Sequence, residues 1–188
     1  MGSKTFNTLF LDRDGVINVY RPYDYVKSVS EFIFIDGVLE ALQMLSPLFQ
    51  QIIVITNQRG VGKGLMSCKD LEEIHNYMTK TIFSHQGKID HIYTCTDIND
   101  DSINRKPNIG MALQAKKDFP NIDFSTSWMI GDSLSDILFA NNVGIPAILI
   151  GQKYSSNEIA LLNIQAHYPD LLSFAQNISQ LSSPHKRF

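Results

Sequence analysis

Apolar and polar positions along the chain form two alternating patterns. Short runs rich in Ile, Val and Phe predict five strands, at residues 6–11, 51–55, 89–94, 127–130 and 146–150. Apolar residues repeat at helical spacing between these runs, which predicts helices at 37–48, 69–85, 108–119 and 134–142. Ser67 is a candidate N-cap, and the weaker pattern after residue 153 predicts a last helix near 170–180. Strands alternating with helices predict an α/β fold with a parallel sheet and right-handed crossovers.

Polar residues suited to chemistry follow three of the predicted strands. Asp12, Thr56 and Asp132 each come directly after an apolar run. In an open parallel sheet the ligand binds beyond the carboxyl ends of the strands. We therefore expect these three side chains to lie on one rim and to mark the functional site.

Length and composition limit the classes of protein that fit. The chain has 188 residues, 44% hydrophobic and 19% charged, which indicates one domain over 1–188 with a motif-bearing core at 6–150 and a tail at 151–188. A net charge of −3 disfavours a nucleic-acid partner, and two cysteines exclude a disulfide framework. The absence of a long apolar run and of a signal peptide predicts a cytoplasmic monomer that makes no use of a membrane.

The strongest chemical signal is the sequence Leu-Asp-Arg-Asp-Gly-Val-Ile-Asn at residues 11–18. It separates Asp12 from Asp14 by one residue, and two anions this close are costly unless they share a cation or a proton. A divalent ion such as Mg²⁺, which takes oxygen ligands, removes that repulsion. An Asp-rich turn explains the same residues without a ligand, and this segment alone does not decide between the two interpretations.

A second pair of carboxylates, Asp132 and Asp136, lies in the sequence Gly-Asp-Ser-Leu-Ser-Asp after the fourth predicted strand. Acidic residues are favoured in the first turn of a helix, so a capping role also explains this pair. The position of Asp132 on the same rim as Asp12 favours a shared metal site instead.

Two further segments carry groups that bind anions. Thr56 and Asn57 offer a hydroxyl and an amide at the end of the second strand. Arg105 and Lys106 precede Pro107 and a predicted helix start, where anions bind. Taken alone, the first segment is better explained as an ordinary polar strand end, and the second is equally typical of a solvated basic turn.

The glycine-rich segment 60–64 lacks the spacing of a phosphate-binding P-loop. We expect a flexible loop there, with Arg59 or Lys63 in contact with the substrate. The histidines show no metal-binding spacing and are expected to be structural or exposed.

These motifs, in this order, resemble the haloacid dehalogenase (HAD) superfamily of phosphatases, whose nucleophile is an aspartate. The matching strings are FLDRDGVIN, FIFIDGVLEAL, VITNQRGVGKG, RKPNIGMALQA and IGDSLSDILFA. Residues 9–150 are similar to the branch that contains the heptose-bisphosphate and histidinol-phosphate phosphatases. The resemblance implies a Rossmann-like three-layer sandwich, and the gaps between the motifs are too short to hold a separate cap domain.

The resemblance also implies roles in catalysis. Asp12 would be the nucleophile that forms an aspartyl-phosphate, and Asp14 would protonate the leaving oxygen and then activate the hydrolytic water. Thr56 and Lys106 would hold the transferring phosphoryl group, and Arg105 would help to recognise the substrate.

The same resemblance implies a Mg²⁺ site. The carboxylate of Asp12, the main-chain oxygen of Asp14 and the carboxylate of Asp132 would bind the ion, with Asp136 in support.

The sequence departs from this branch at two places. Members commonly carry a zinc loop of pattern C-x-H…C-x-C before the Arg-Lys pair. Here Cys95 keeps the first position, whereas Asp97, Ser102 and Asn104 stand at the others, so we expect no zinc. Lys commonly follows the Gly-Asp pair, but this chain has Ser133, which predicts the loss of one cationic contact.

The leading hypothesis is a Mg²⁺-dependent phosphatase of a small phosphorylated metabolite, with D-glycero-D-manno-heptose 1,7-bisphosphate as the first substrate and histidinol phosphate as the alternative. Residues 19–30 and 59–66 are expected to line the entrance, where Arg21, Arg59 and Lys63 are candidates to bind a second phosphate. A polynucleotide 3′-phosphatase is disfavoured by the acidic charge balance. An inactive phospholigand-binding domain is disfavoured because the acidic motif residues and Lys106 are present.

Overall fold

The computed structural model describes residues 6–181, and its six strands belong to one sheet. The strands are β1 (Phe6–Leu11), β2 (Phe49–Asn57), β3 (His91–Cys95), β4 (Trp128–Gly131), β5 (Ala147–Ile150) and β6 (Ala166–Tyr168). Their order is β3-β2-β1-β4-β5-β6, and every neighbouring pair is parallel. The predicted α/β class is confirmed, and the edge strand β6 is one that the sequence pattern does not predict.

Helices and single turns connect the strands. The helices are α1 (Val38–Leu45), α2 (Arg59–Gly62), α3 (Cys68–Ser84), α4 (Gly110–Asp118), α5 (Leu134–Val143), α6 (Ser156–Ala160) and α7 (Leu171–Asn177), and the 3₁₀ turns are Val29–Glu31, Phe124–Thr126 and Ile178–Gln180. The prediction of a loop over 60–64 was wrong in part, because residues 59–62 form the helical turn α2. The N–H of Lys63 closes this turn on the carbonyl of Arg59 at 3.0 Å.

Side chains of the strands alternate between two buried faces. Leu9 and Leu11 pack in one apolar cluster with residues of α1, α3 and α7, whereas Phe10 packs in a second cluster with residues of α4 and α5. All three side chains are fully buried. Helices on both faces of a parallel sheet give the predicted three-layer sandwich and explain why these strands lack polar alternation.

The start of α3 is fixed by the predicted cap. The N–H of Asp70 donates to the hydroxyl of Ser67 at 3.1 Å, and the carboxylate of Asp70 accepts from the N–H of Ser67 at 2.8 Å. This capping box satisfies donors that the first helical turn leaves free. The side chains that α3 buries against the sheet share one face of the helix: Leu71, Ile74, Met78 and Ile82.

The strand order reverses between β1 and β4. The chain leaves β1 through β2 to β3 and then returns to β4 on the other side of β1. Ligands bind at such a reversal in open α/β sheets. Between β1 and β2 the described residues contain one 3₁₀ turn and α1 as regular elements, and between β2 and β3 they contain α2 and α3. Within residues 6–181, no helix has both the length and the apolar character needed to span a membrane.

Candidate active site

The predicted rim forms at the reversal of the strand order. Leu11, the last residue of β1, lies beside Ile130 of β4 and Val54 of β2. Asp12 and Asp132 follow the ends of β1 and β4, so both leave the same edge of the sheet.

Lys106 lies between two buried carboxylates at this rim. Its Nζ is 2.8 Å from Oδ1 of Asp12 and donates to Oδ1 of Asp136 at 2.6 Å. Burial opposes the charged form of the lysine, but the two carboxylates outweigh burial and raise the pKa of Lys106 above its usual value. The lysine is therefore a cation at any physiological pH.

Asp12, Asp132 and Asp136 bring carboxylate oxygens within 4.8 Å of one another. Burial and the neighbouring carboxylate of Asp136 raise the pKa of Asp12 to about 8, against the opposing effect of Lys106. Burial and Asp136 likewise raise the pKa of Asp132 to about 6. One lysine thus leaves negative charge uncompensated, and oxygen ligands this close together suit a hard divalent cation such as Mg²⁺.

The oxygens of these carboxylates differ in their availability. Both oxygens of Asp136 are used, because Oδ2 accepts from the N–H and the hydroxyl of Ser133 at 3.1 and 2.6 Å. Oδ1 of Asp12 accepts from the N–H of Arg13 at 2.7 Å, whereas no hydrogen bond from a described residue reaches its Oδ2. The oxygens available to a metal or a substrate therefore belong to Asp12 and Asp132.

The carboxylate of Asp14 lies outside this cluster and has its own partners. It accepts from Nδ2 of Asn18 at 2.9 Å and from Nε2 of Gln58 at 2.7 Å, and Nη2 of Arg13 is 3.0 Å away. Burial raises the pKa of Asp14, but Arg13 and these hydrogen bonds outweigh burial and hold the pKa below its usual value. Asp14 is therefore an anion at neutral pH.

Arg13 contacts both Asp14 and His75, an arrangement that the sequence did not predict. Arg13 is fully buried, and its Nη1 lies 3.2 Å from Nε2 of His75 on α3. Burial and the guanidinium of Arg13 lower the pKa of His75 to about 3, so the ring is neutral and Nε2 accepts. His75 was expected to be structural or exposed, and only the packing of α3 brings it to Arg13.

Asn57 holds the main chain of Lys106. Its Oδ1 accepts from the N–H of Lys106 at 3.0 Å, and its Nδ2 donates to the carbonyl of Lys106 at 3.1 Å. Beside it, Oγ1 of buried Thr56 accepts from Nε2 of Gln58 at 2.9 Å, which leaves the hydroxyl proton free to donate elsewhere.

Gly15 permits the loop after β1 to approach the loop after β4. Its φ is +85°, and a Cβ at this position would collide with the carboxylate of Asp132. A side chain here would be strained and would displace Asp132.

A cavity of about 590 Å³ opens above this rim. Of the predicted residues, eight line its wall: Asp12, Asp14, Arg21, Asn57, Lys63, Arg105, Lys106 and Asp132. Thr56, Arg59 and Asp136 do not contribute to the wall. Residues of both predicted entrance segments also line the wall. Three of them are tyrosines of the first segment: Tyr20, Tyr23 and Tyr25.

Arg59 is turned to a neighbouring loop. Its guanidinium forms an ion pair with Asp100, and Nε of Arg105 lies 3.4 Å from the same carboxylate. Nη1 of Arg105 and Nε of Arg59 are buried without a hydrogen-bond partner among the described residues. Arg105 therefore keeps one donor without a partner in the described part of the chain, whereas Arg59 braces the loop that carries Asp100.

Three of the zinc-loop positions, Cys95, Asp97 and Ser102, contact one another. The hydroxyl of Ser102 donates to Oδ2 of Asp97, and Sγ of Cys95 lies 3.8 Å from both groups. Nδ2 of Asn108 donates to the carbonyl of Ser102 at 2.9 Å. The absence of zinc stays a prediction.

Comparisons with known proteins agree with this geometry. Residues 103–173 match the family model described as HAD-hydrolase-like. The D-glycero-beta-D-manno-heptose-1,7-bisphosphate 7-phosphatase of Salmonella typhi is 34% identical over 157 residues, covering 78% of this chain and 82% of the relative. The D-glycero-alpha-D-manno-heptose-1,7-bisphosphate 7-phosphatase of Burkholderia mallei is 38% identical over 151 residues, covering 76% of this chain and 78% of the relative.

A solved structure supports the same grouping. The D,D-heptose 1,7-bisphosphate phosphatase from B. bronchiseptica, complexed with magnesium and phosphate, superposes with a TM-score of 0.83 at 28% identity. The match covers 94% of this chain and 99% of that one.

Proposed function

This chain belongs to the HAD phosphatases, and we propose that it removes the 7-phosphate of D-glycero-D-manno-heptose 1,7-bisphosphate in a Mg²⁺-dependent reaction. One observation carries the proposal: Asp12 lines a cavity and lies beside Lys106 and two further carboxylates. The relatives named as heptose-bisphosphate phosphatases supply the substrate.

Asp12 and Asp132 are the side chains that would hold Mg²⁺, together with the main-chain oxygen of Asp14. Asp136 supports the site by holding Lys106 and Ser133. Bound Mg²⁺ lowers the repulsion between a carboxylate and a phosphate and neutralises developing charge.

Asp12 is the nucleophile in this proposal. Its free Oδ2 forms a bond to phosphorus while the bond from phosphorus to the sugar oxygen breaks. Lys106 stabilises the charge on the transferring phosphoryl group. Thr56, to which the resemblance assigns the same role, has a free hydroxyl proton but does not line the cavity wall. Water then attacks the aspartyl-phosphate, which releases inorganic phosphate and restores the carboxylate of Asp12.

Asp14 transfers protons in both steps. It gives a proton to the leaving sugar oxygen and takes one from the attacking water. The low pKa set by Arg13 suits the second step. An anionic phosphate beside Asp14 raises its pKa and so favours the protonated form that the first step needs.

The cavity wall suits a phosphorylated sugar. Tyrosine rings present an apolar face and a polar hydroxyl, which matches a ring of carbons and hydroxyls. Arg105 has a buried N–H without a partner in the described part of the chain, and Lys63 adds a second cation at the wall. A cytoplasmic, zinc-free monomer remains part of the proposal.

The test is phosphate release with Mg²⁺ from both anomers of heptose 1,7-bisphosphate, beside histidinol phosphate and a 3′-phosphorylated oligonucleotide. We expect one heptose anomer to exceed the other two substrate classes in kcat/KM by about 10²-fold or more. Asp12→Asn is the control, and its release should fall to background. A preference for histidinol phosphate or the oligonucleotide would overturn the substrate assignment and keep the chemistry.

A further inference from the structure

Most cations on the cavity wall are already paired with carboxylates. Arg13 pairs with Asp14, Arg21 with Asp24 and Glu31, Arg105 with Asp100, and Lys106 with Asp12 and Asp136. Within residues 6–181, the wall cations that form no ion pair are Lys63 and Lys153. These two lysines are the wall cations whose charge is fully available to an anionic ligand.

Lys153 stands between two aromatic rings. Its Nζ lies 5.5 Å from the ring centre of Tyr20, which follows β1, and 5.8 Å from that of Tyr154. Cation–π contacts at exposed sites are weak. The two rings therefore orient the ammonium group but leave it able to bind an anion. An anion that arrives beside it competes easily with the two rings.

The main chain on both sides of Lys153 is anchored. The N–H of Gly151 donates to the carbonyls of Tyr168 and Pro169 at 3.0 and 3.1 Å. The hydroxyl of Tyr154 accepts from the N–H of Leu134, in the first turn of α5, at 2.9 Å. The main chain that carries Lys153 is therefore held close to Leu134, the neighbour of Ser133. Ser133 is the position at which the sequence predicts a lost cationic contact.

Lys153 lies nearer to the solvent than Lys106, which contacts the reacting centre. Lys106 is 3% exposed at the floor of the cavity, whereas Lys153 is an exposed residue at its wall. The phosphoryl group that reacts with Asp12 meets Lys106. A cation further out meets a group of the substrate that does not react.

We propose that Lys153 is a specificity-determining residue that binds the second, non-reacting phosphate of a sugar bisphosphate. The proposal rests on the proposed function for the identity of the ligand. The positive charge that Ser133 does not supply comes from the loop after β5, and Tyr154 fixes that loop to α5.

The experiment measures binding without turnover. Dissociation constants for heptose 1,7-bisphosphate and heptose 7-phosphate are measured by calorimetry in Asp12→Asn, with and without Lys153→Met. The two ligands share the reacting phosphate. The dissociation constant of heptose 7-phosphate divided by that of the bisphosphate therefore measures what the second phosphate adds to binding. We expect Lys153→Met to reduce this ratio by about tenfold, because a charge-assisted hydrogen bond is lost.

Two matched variants separate charge from packing and from general electrostatics. Lys153→Arg keeps the charge and should retain the ratio within about threefold. Lys80→Met removes an exposed lysine of α3 outside the cavity wall and should leave the ratio as it is. Higher salt should shrink the effect of Lys153→Met, because exposed charges are screened.

The proposal is overturned if Lys153→Met weakens both ligands equally, if it changes neither, or if neither ligand binds Asp12→Asn. Failure of the proposed function has a different signature, in which the unaltered protein does not hydrolyse the bisphosphate. A ratio that still depends on Lys153 in that case would support a binding site for two phosphates without hydrolysis.

Discussion

The charge on Lys106 balances only part of the carboxylate cluster at the centre of the site. Its ammonium group contacts Asp12 and Asp136, while Asp132 has no ion pair among the described residues. Burial and the excess negative charge both favour the protonated forms, so the pKa values of Asp12 and Asp132 rise to about 8 and about 6. A divalent cation competes with those protons for the same oxygens.

His75 makes stability depend on pH in a window that follows from its pKa. An unfolded histidine titrates near 6.5, whereas burial and Arg13 lower the pKa of folded His75 to about 3. Between these values the unfolded state binds more protons, so the free energy of unfolding falls as the pH falls. We expect a contribution of at most about 1.4 kcal/mol per pH unit.

The measurement is chemical unfolding of the unaltered protein and His75→Gln from pH 7 down to pH 4. Gln keeps an acceptor for Arg13 and does not titrate, so the difference in stability between the two proteins should shrink or change sign as the pH falls. His85→Gln, at an exposed position after α3, is the control. Parallel pH profiles for His75→Gln and the unaltered protein would refute this account of His75.

At this scale the sequence predicts residues that follow strands but not residues that reach the site by packing. The positions of Asp12 and Asp132 could be predicted because each residue follows the end of a strand. The contact between Arg13 and His75 could not be predicted, because it depends on how α3 packs on the sheet. The use of Asn57 to hold Lys106, and the turn of Arg59 toward Asp100, also depend on contacts between distant segments.

Among the elements, the loops after β1 and β4 depend on one glycine. Gly15→Ala puts a methyl group where the carboxylate of Asp132 lies, at a φ of +85°. We expect phosphate release to fall by about 10²-fold, because a small displacement of a metal ligand disturbs the geometry of the reaction.

Gly144→Ala is the matched control for this substitution. Gly144 has a φ of +83° after α5, but nothing lies within 4 Å of a Cβ there. Both variants carry a strain of about 1–3 kcal/mol in unfolding free energy, and only Gly15→Ala should lose activity. Equal activity in the two variants would show that the approach of Gly15 to Asp132 does not matter.

The loop between β3 and Arg105 should fold without zinc. Cys95 supplies one thiol, and a hydrogen bond joins two of the remaining positions, Asp97 and Ser102, while Asn108 holds the main chain of Ser102. We expect metal analysis of the purified protein to find no stoichiometric zinc, and a zinc chelator to leave the unfolding midpoint unchanged with Mg²⁺ in excess. One tightly held zinc per chain would contradict this prediction.

Most elements were predictable, including the four-residue strands β4 and β5, whereas two other short elements were not. Strand β1 has the predicted bounds, and α3 begins at its predicted cap Ser67. The turn α2 and the strand β6 have four and three residues, too few for a periodic pattern. They form because of hydrogen bonds, such as those that join β6 to β5 at the edge of the sheet.

For the whole molecule, the carboxylate cluster couples metal binding to folding. A ligand that binds only the folded state stabilises it by about 2.7 kcal/mol at a hundred times its dissociation constant. We expect excess Mg²⁺ to raise the midpoint of thermal unfolding, and Asp132→Asn to reduce that rise.

Glu72→Gln, an exposed substitution on α3, serves as the control for lost charge. It should keep the full response to Mg²⁺. If Asp132→Asn responds as strongly as the control, Asp132 is not a ligand of the metal.

The order of the strands explains why the site lies where it does. The chain crosses from β3 to β4 past β1, so the ends of β1 and β4 meet at the reversal. The alternation of strands and helices predicts a parallel sheet, but not this order. The order and the cavity above it emerge only when all six strands are in place.

The most direct test of the central claim is to trap the phosphoryl group on Asp12. Protein mixed with heptose 1,7-bisphosphate labelled at the 7-phosphate is quenched in acid within one turnover, and the labelled peptide is identified by mass spectrometry. We predict the label on the peptide that contains Asp12, and none on Asp12→Asn. Phosphate released at the same rate by both proteins, with no label on either, would contradict the proposed mechanism.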